Sequence, residues 1–207
     1  MKRYYTWEIH DKYARYWTKE SIESPEEFGE LSDKAKQYFL PTSNPHDLEA
    51  WNPPMVKEEM EKGRPFRKGD SHSTWMGGCI VSQVMKDKMG DILEQYGELF
   101  PFEVEDREDK LYRYWVTNEI SFDSVDKKKS KFFDNDYKDE DVFKIENLVF
   151  LEKFEINSMI LCIQEEYERT IFVNEEFIEL VKENDLKGFH FKLDTSYSST
   201  DKGIKIG

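Results

Sequence analysis

The sequence predicts an α+β fold in which a mixed or mostly antiparallel sheet carries two amphipathic helices. Two segments show the same order of patterns: a short apolar run, a helix N-cap residue, apolar residues at helical spacing and a glycine. The first segment has its N-cap residue at Ser82 and its glycine at Gly97, and the second has them at Asn174 and Gly188. An alternating apolar strand follows each glycine. Each segment is therefore predicted to be a strand–helix–strand unit, and the two units to be related building blocks.

The strand patterns that close the two units, 100–104 and 189–193, place large apolar residues at alternate positions. We expect the apolar residues of the two strands to occupy equivalent positions, Phe100 with Phe189, Phe102 with Phe191 and Val104 with Leu193. The next run, 111–116, is rich in aromatic and β-branched residues. It is predicted to pair antiparallel with 100–104, because only a short polar turn separates them.

Further strands are predicted at 4–9, within 142–154 and at 159–163, and a helix start at Ser24-Pro25 predicts a helix over 25–31. The predicted core joins the inward positions of the helices and strands. It comprises Val81, Met85, Met89, Ile92, Leu93, Phe102, Tyr114, Leu161, Phe172, Phe177, Val181 and Phe191.

The chain has 207 residues, of which 38% are hydrophobic and 15% aromatic, which is enough for one domain with a substantial core. A single globular domain is predicted over 1–196. Prolines within 40–69 exclude long regular elements there, so that only 55–62 is predicted as a short helix. The polar segment 197–207 is predicted to be a mobile tail.

The formal net charge is −14, from 30 basic and 44 acidic side chains. A chain this acidic is repelled by phosphate, so direct binding to nucleic acid or to an anionic membrane is not expected. A basic protein partner would complement this negative charge, although an acidic composition can also serve only to keep a protein soluble. Cys79 and Cys162 lie in apolar runs and are predicted to be buried free thiols. The start of the chain lacks an apolar signal core, so the expected location is the cytoplasm.

A short acidic cluster spans 134–141. Charge runs are usually solvated loops, yet this cluster is also the first place to expect contact with a basic partner. The candidate partner-binding residues are Asp134, Asp136, Asp139, Glu140 and Asp141. Nearby, Asp123 and Asp126 are three residues apart, but the lysines after them do not resemble a calcium loop, and turn or cap roles are preferred. No metal or cofactor is expected.

Enzymatic function has little support in the sequence. His190 alternates with Phe189 and Phe191, which predicts a position on the outer face of a strand. His72, in a predicted loop beside serines, is the best candidate for proton transfer, although such a histidine is more often a surface residue. No nucleophile elbow, phosphate loop, dinucleotide glycine pattern or zinc spacing occurs. The chain is therefore predicted not to be an enzyme.

Five patterns occur in a characteristic order: the strand and cap at 80–82, the strand 100–102, the aromatic strand 112–115, Phe-Asp-Ser-Val-Asp at 122–126, and the closing unit 172–191. In this order and spacing the chain resembles the immunity protein eleven family of bacterial polymorphic toxin systems, formerly a domain of unknown function. The resemblance covers about 76–193 and rests on the succession of patterns.

The resemblance implies a small cytoplasmic protein that binds a cognate toxin domain and neutralises it by direct protein–protein contact. An acidic inhibitor fits a toxin with a basic active-site cleft, as nuclease toxins often have, because carboxylates can take the place of substrate phosphates. The alternative is a non-catalytic adaptor that binds another cytosolic protein. A small enzyme using His72 is the more remote alternative.

Overall fold

The computed structural model describes residues 3–9, 16–18, 56–58, 60–61, 64–65, 67–73, 79–105, 108, 110–134, 143–166, 169–196 and 199–207. Two α-helices lie within these residues, α1 at Gln83–Tyr96 and α2 at Glu175–Glu183, and a short 3-10 helix lies at Phe122–Ser124. The strands are β1 (Tyr4–Ile9), β2 (Tyr16–Thr18), β3 (Val56–Glu58), β4 (Met60–Glu61), β5 (Arg64–Pro65), β6 (Ser71–Ser73), β7 (Cys79–Ser82), β8 (Gly97–Phe102), β9 (Leu111–Val116), β10 (Glu119–Ile120), β11 (Lys131–Asp134), β12 (Phe143–Asn147), β13 (Ile160–Ile163), β14 (Phe172–Asn174), β15 (Phe189–Lys192) and β16 (Ile204–Ile206).

The described strands form two main sheets. The larger has the order β10-β13-β14-β1-β15-β16, and the smaller has the order β6-β7-β9-β8. Strands β10 and β13 pair in parallel, whereas the other pairings among the described strands are antiparallel. Both helices pack on these sheets, so the predicted α+β class is confirmed.

Each helix belongs to a strand–helix–strand unit, as the sequence predicted. The first unit is β7–α1–β8 and the second is β14–α2–β15. Their helices begin in the same way, because the side chain of Ser82 accepts a hydrogen bond from the Met85 amide and that of Asn174 from the Phe177 amide, each at 3.0 Å. These bonds satisfy a backbone donor that the first helical turn leaves open.

The two units also share an arrangement that the sequence did not reveal. In each unit the two strands are separated by a third strand that runs antiparallel to both: β9 lies between β7 and β8, and β1 lies between β14 and β15. The preceding strands, β6 and β13, pair antiparallel with β7 and β14. The same four-stranded pattern with one helix therefore occurs twice.

The strand register shows which residues of β8 and β15, the closing strands of the two units, are equivalent. Tyr114 pairs with Leu99, and its equivalent Trp7 pairs with Phe191. The N-cap residue Ser82 is therefore equivalent to Asn174, and Leu99 is equivalent to Phe191. The two residues of each pair are 92 positions apart in sequence. The predicted match of Phe100 with Phe189 is therefore wrong: Phe100 lies on the sheet face opposite Leu99 and opposite α1.

One core joins both units. The rings of Trp7 and Tyr114, at equivalent positions, lie 6.1 Å apart, and Trp7 also contacts Phe177 and Phe189. Ten of the twelve predicted core residues are buried; Ile92 is partly buried against this core, and the side chain of Phe102 lies outside the described residues. Cys79 and Cys162 are buried free cysteines as predicted, and burial raises the pKa of each thiol to about 12.

The last part of the segment 197–207, for which the sequence predicts a mobile tail, contains a strand. Strand β16 pairs with β15 at the edge of the larger sheet. The carboxylate of Asp201 accepts hydrogen bonds from the amides of Leu193, Asp194 and Gly203. Burial opposes ionisation of Asp201, but these bonds outweigh it and lower its pKa below the usual value. The pattern Ile204-Lys205-Ile206 is short, and its partner strand supplies the pairing that the sequence alone does not show.

The sequence also predicts two short helices in the first 70 residues and several strands. The short helix expected over 55–62 is wrong, because 56–58 and 60–61 are extended and pair as strands β3 and β4 with β2 and β5. The predicted helix over 25–31 lies outside the described residues. Strands at 4–9, 143–147 and 160–163 confirm their predictions, and β8 pairs with β9 as expected.

We predict that the same substitution at two glycines has opposite effects on stability. Gly90→Ala should stabilise the protein by about 0.5–1 kcal/mol, because Gly90 lies inside α1 and an added Cβ would meet only Lys86 Cγ, at 3.7 Å. Gly97→Ala should destabilise by roughly 1–3 kcal/mol, because its Cβ would collide with the carbonyl oxygen of Trp115 and lie 2.8 Å from Tyr114 Cε2.

Urea unfolding of both variants beside the wild type measures this difference. The two substitutions add the same methyl group, so each serves as the control for the other. Equal effects of the two substitutions would contradict the close approach of β8 to β9 at Gly97.

Candidate partner-binding surface

One face of the six-stranded sheet packs against the core that contains α2, and the opposite face is covered by residues 121–134 and 143–158. We call these residues the outer layer. Side chains of the layer and of the sheet form a second core, made of Tyr4, Val125, Ile145, Leu148, Phe150, Leu161, Ile163 and Phe172. Because Phe172 and Val173 are neighbours in β14, they point to opposite faces, and Val173 joins the first core. The outer layer is thus anchored by its own buried apolar contacts.

Hydrogen bonds from buried polar groups fix the outer layer on the sheet. The carboxylate of Glu166, 2% exposed, accepts from the Ile145 amide at 2.8 Å and from the amide and hydroxyl of Thr170. Within the layer, Ser130 and Val149 exchange two bonds, at 3.1 and 3.0 Å, which join its two segments. Such bonds satisfy groups that water cannot reach, so the layer has a defined position.

The layer is also tied to the end of β15. Lys131 forms an ion pair with Asp194, and Asn147 donates to the carbonyl of Leu193 at 2.8 Å. Burial raises the pKa of Asp194, but hydrogen bonds from Lys131 and Ser196 outweigh it and bring the pKa below its usual value. The carboxylate is therefore held ionised opposite Lys131.

The acidic cluster begins at Asp134, the last residue of the first strand of a hairpin in this layer. Strands β11 and β12 pair antiparallel, with Asp134 opposite Phe143, and the sequence 135–142 connects them. Asp134 ends β11, and its side chain lies outside the described residues, as do the other four candidates. Those four are Asp136, Asp139, Glu140 and Asp141. The structure thus places one of the five candidates at the end of a hairpin and leaves the predicted binding role of all five a prediction.

Two exposed aromatic residues of the outer layer were missed in the sequence. Phe133 and Phe154 are each 39% exposed, and Val84 on α1 is the remaining large hydrophobic residue exposed within the described part of the chain. A signal for Phe133 did exist, since consecutive residues of a strand face opposite sides. Phe132 turns inward, 5.7 Å from the Phe122 ring and edge to face, so Phe133 must turn outward.

The aspartates beside this hairpin have turn roles. The carboxylate of Asp126 accepts hydrogen bonds from the amides of Lys128 and Lys129, and Asp123 lies in the 3-10 helix that Ser121 caps. These are the roles that the sequence favoured over metal binding. Within the described residues, no three His, Cys, Asp or Glu side chains are grouped as metal ligands.

The loop position predicted for His72 is wrong, whereas the position of His190 on the outer face of a strand is confirmed. His72 is on strand β6, not in a loop, and is 2% exposed. His190 is on β15 and does face away from Phe189 and Phe191, but it is only 8% exposed because its Nε2 contacts the carbonyl of Lys202 in the C-terminal segment. Burial lowers the pKa of His190, which disfavours its protonated form.

A scan against protein-family models found no match to the chain, and a search of curated proteins found no significant match. Neither described helix is long and apolar enough to cross a membrane.

We predict that Glu166→Ala loosens the outer layer before the rest of the protein unfolds. The substitution leaves the buried amide of Ile145 without its acceptor, at a cost of roughly 2–4 kcal/mol for the lost set of bonds. Compared with the wild type, the variant should show faster hydrogen exchange at 143–150, with a smaller change in α1.

Glu165→Ala is the control. Glu165 is the neighbouring exposed residue of the same type, and its bonds to Ser121 and Phe122 are open to water. Its replacement should cost less than about 1 kcal/mol. Equal exchange rates in both variants would show that Glu166 does not hold the layer.

Proposed function

We propose that this chain is an immunity protein, which binds a toxin domain in the cytoplasm and neutralises it by direct contact through the outer layer. The observation that carries the proposal is the hairpin β11–β12, where the exposed ring of Phe133 directly precedes an acidic segment. Surfaces that bind other proteins typically combine aromatic residues with a polar or charged rim.

The charge of the chain supports a basic partner. With a net charge of −14, the chain attracts a positively charged surface over distances up to about a Debye length, 8–10 Å at physiological salt. Nuclease toxins have such a surface where they bind phosphate, and clustered carboxylates compete for it. The resemblance to the immunity protein eleven family supports the same function.

The low exposure of the two described histidines, His72 and His190, favours binding over catalysis. General acid–base catalysis requires a titratable group within reach of substrate. Both His72 and His190 are less than a tenth exposed, whereas the outer layer exposes the rings of Phe133 and Phe154 among charged residues of both signs. The surface of the outer layer is therefore suited to contact with a partner protein.

Co-expression tests the proposal. This chain should be produced together with the C-terminal domain of the protein encoded by the adjacent open reading frame, followed by a growth assay and a pull-down. We expect the domain alone to stop growth and this chain to restore growth while forming a stable complex. Toxicity without rescue or binding would contradict the proposal and favour an adaptor that binds another protein.

Neutralising the acidic hairpin should slow association with the toxin domain. Asp134, Asp136, Asp139, Glu140 and Asp141 would be replaced by Asn or Gln. We expect the association rate constant at low salt to fall about tenfold or more, and its salt dependence to weaken, because electrostatic attraction governs encounter.

The matched control neutralises five exposed acids on the two helices. These are Asp87, Asp91, Glu94, Glu176 and Glu183. Both variants change the net charge from −14 to −9, so they differ only in where the charge is removed. Equal association rates would show that total charge, and not the hairpin, steers the partner.

A further inference from the structure

A groove of about 460 Å³ lies in the outer layer beside the start of β1. Its floor is apolar, because Tyr4 and Phe150 are both buried with their rings edge to face at 5.3 Å, and Ile156 extends this floor. Its volume is within the range of about 300–1,000 Å³ that ligand pockets occupy. The groove is thus large enough for a large apolar side chain of a partner.

The groove is held in shape by the hydroxyl of Tyr4. This hydroxyl donates to the carbonyl of Ser158 at 2.9 Å and lies 3.3 Å from that of Ile156. Burial raises the pKa of Tyr4 to about 12, so the hydroxyl keeps its proton at any physiological pH. A further bond from the Phe154 amide to the carbonyl of Leu151, at 3.0 Å, closes the turn above the floor. A groove fixed in advance loses less conformational entropy when a ligand enters.

The rim of the groove carries an exposed aromatic ring and charged groups of both signs. Phe154 is 39% exposed, and Glu152 and Glu155 are exposed on either side of it. Glu152 has an ion pair with Lys129, at 3.4 Å, whereas the carboxylate of Glu155 makes no ion pair with a described residue. Lys153 lies over the Phe154 ring, 5.0 Å from its centroid. Glu155 is therefore the rim charge available to an incoming cation.

We propose that this groove receives an apolar side chain of the toxin domain, flanked by a lysine or arginine that pairs with Glu155. This inference rests on the proposed function and locates its principal apolar contact. An apolar anchor in a preformed pocket, with charges around it, is where binding energy concentrates in protein interfaces. The hairpin then governs the rate of encounter, and the groove governs the lifetime of the complex.

Charge selects the toxin domain over a second copy of this chain as the occupant. A second copy would bring a net charge of −14 towards a chain that itself carries −14, and its acids would oppose Glu155 at the rim. Like charges placed opposite one another disfavour such a contact. A basic partner gains from the same rim, and its cation adds a bond to Glu155 at the edge of the apolar contact.

The test measures dissociation of the complex with the same toxin domain, made inactive, immobilised on a biosensor. We expect Phe154→Ala and Glu155→Lys each to increase the dissociation rate constant about tenfold or more. Association should change little with Phe154→Ala, because no charge is altered. Unfolding temperatures of the variants, measured in parallel, would show that the fold is intact.

The controls are Val84→Ala and Glu94→Lys, which make the same kinds of change on α1 at exposed positions. They should dissociate at the wild-type rate. If the wild type binds and both groove variants dissociate like the controls, the groove proposal is overturned and the proposed function stands. If the wild type itself does not bind, both fall together.

Discussion

The indole of Trp7 is the contact on which the arrangement of the two units depends. Its ring contacts Tyr114 of the first unit and Phe177 and Phe189 of the second, and its Nε1 donates to the Ser71 hydroxyl at 2.8 Å. A buried indole needs such a partner for its one polar group. Because β1 comes from the start of the chain, this side chain ties the first strand to elements more than a hundred residues away.

Hydrogen bonds of Asp70 form a second link between the two units. Asp70 accepts a hydrogen bond from Ser82, the N-cap residue of α1, and another from the amide of Lys187, just after α2. Its own amide donates to the carbonyl of Lys187 at 2.7 Å. One residue therefore links the beginning of one helix to the end of the other unit. The duplicated units cannot shift against each other without breaking these bonds.

The local parts of the fold could be predicted because they depend on neighbours in sequence. Ser82 and Asn174 cap their helices by bonding an amide three residues on, and helical periodicity identifies Met85 and Phe177 as core residues. The strands that complete each unit could not be predicted. The insertion of β1 between β14 and β15 joins residues at opposite ends of the chain, and no local pattern encodes that pairing.

The same distinction explains the errors at candidate functional residues. His72 has polar neighbours in sequence, but it is buried where β6 pairs with β7, because its exposure depends on the strands around it. Glu166 stands in a charged run of the sequence, yet it is buried, and its bonds to the distant Ile145 amide and to Thr170 satisfy its carboxylate there. The acidic segment 134–141 was identified from charge alone, whereas its place in a hairpin follows from the pairing of β11 with β12.

Duplication also explains how one protein can combine a rigid framework with a specialised surface. The inner faces of both units form one core, so substitutions there affect stability. The outer faces differ: Leu161 in the second unit is equivalent by register to His72 in the first, and Thr6 is equivalent to Arg113. The apolar outer face of the second unit holds the outer layer by a separate core. Exposed residues of that layer, such as Phe133 and Phe154, can therefore vary with a partner while the two units keep their fold.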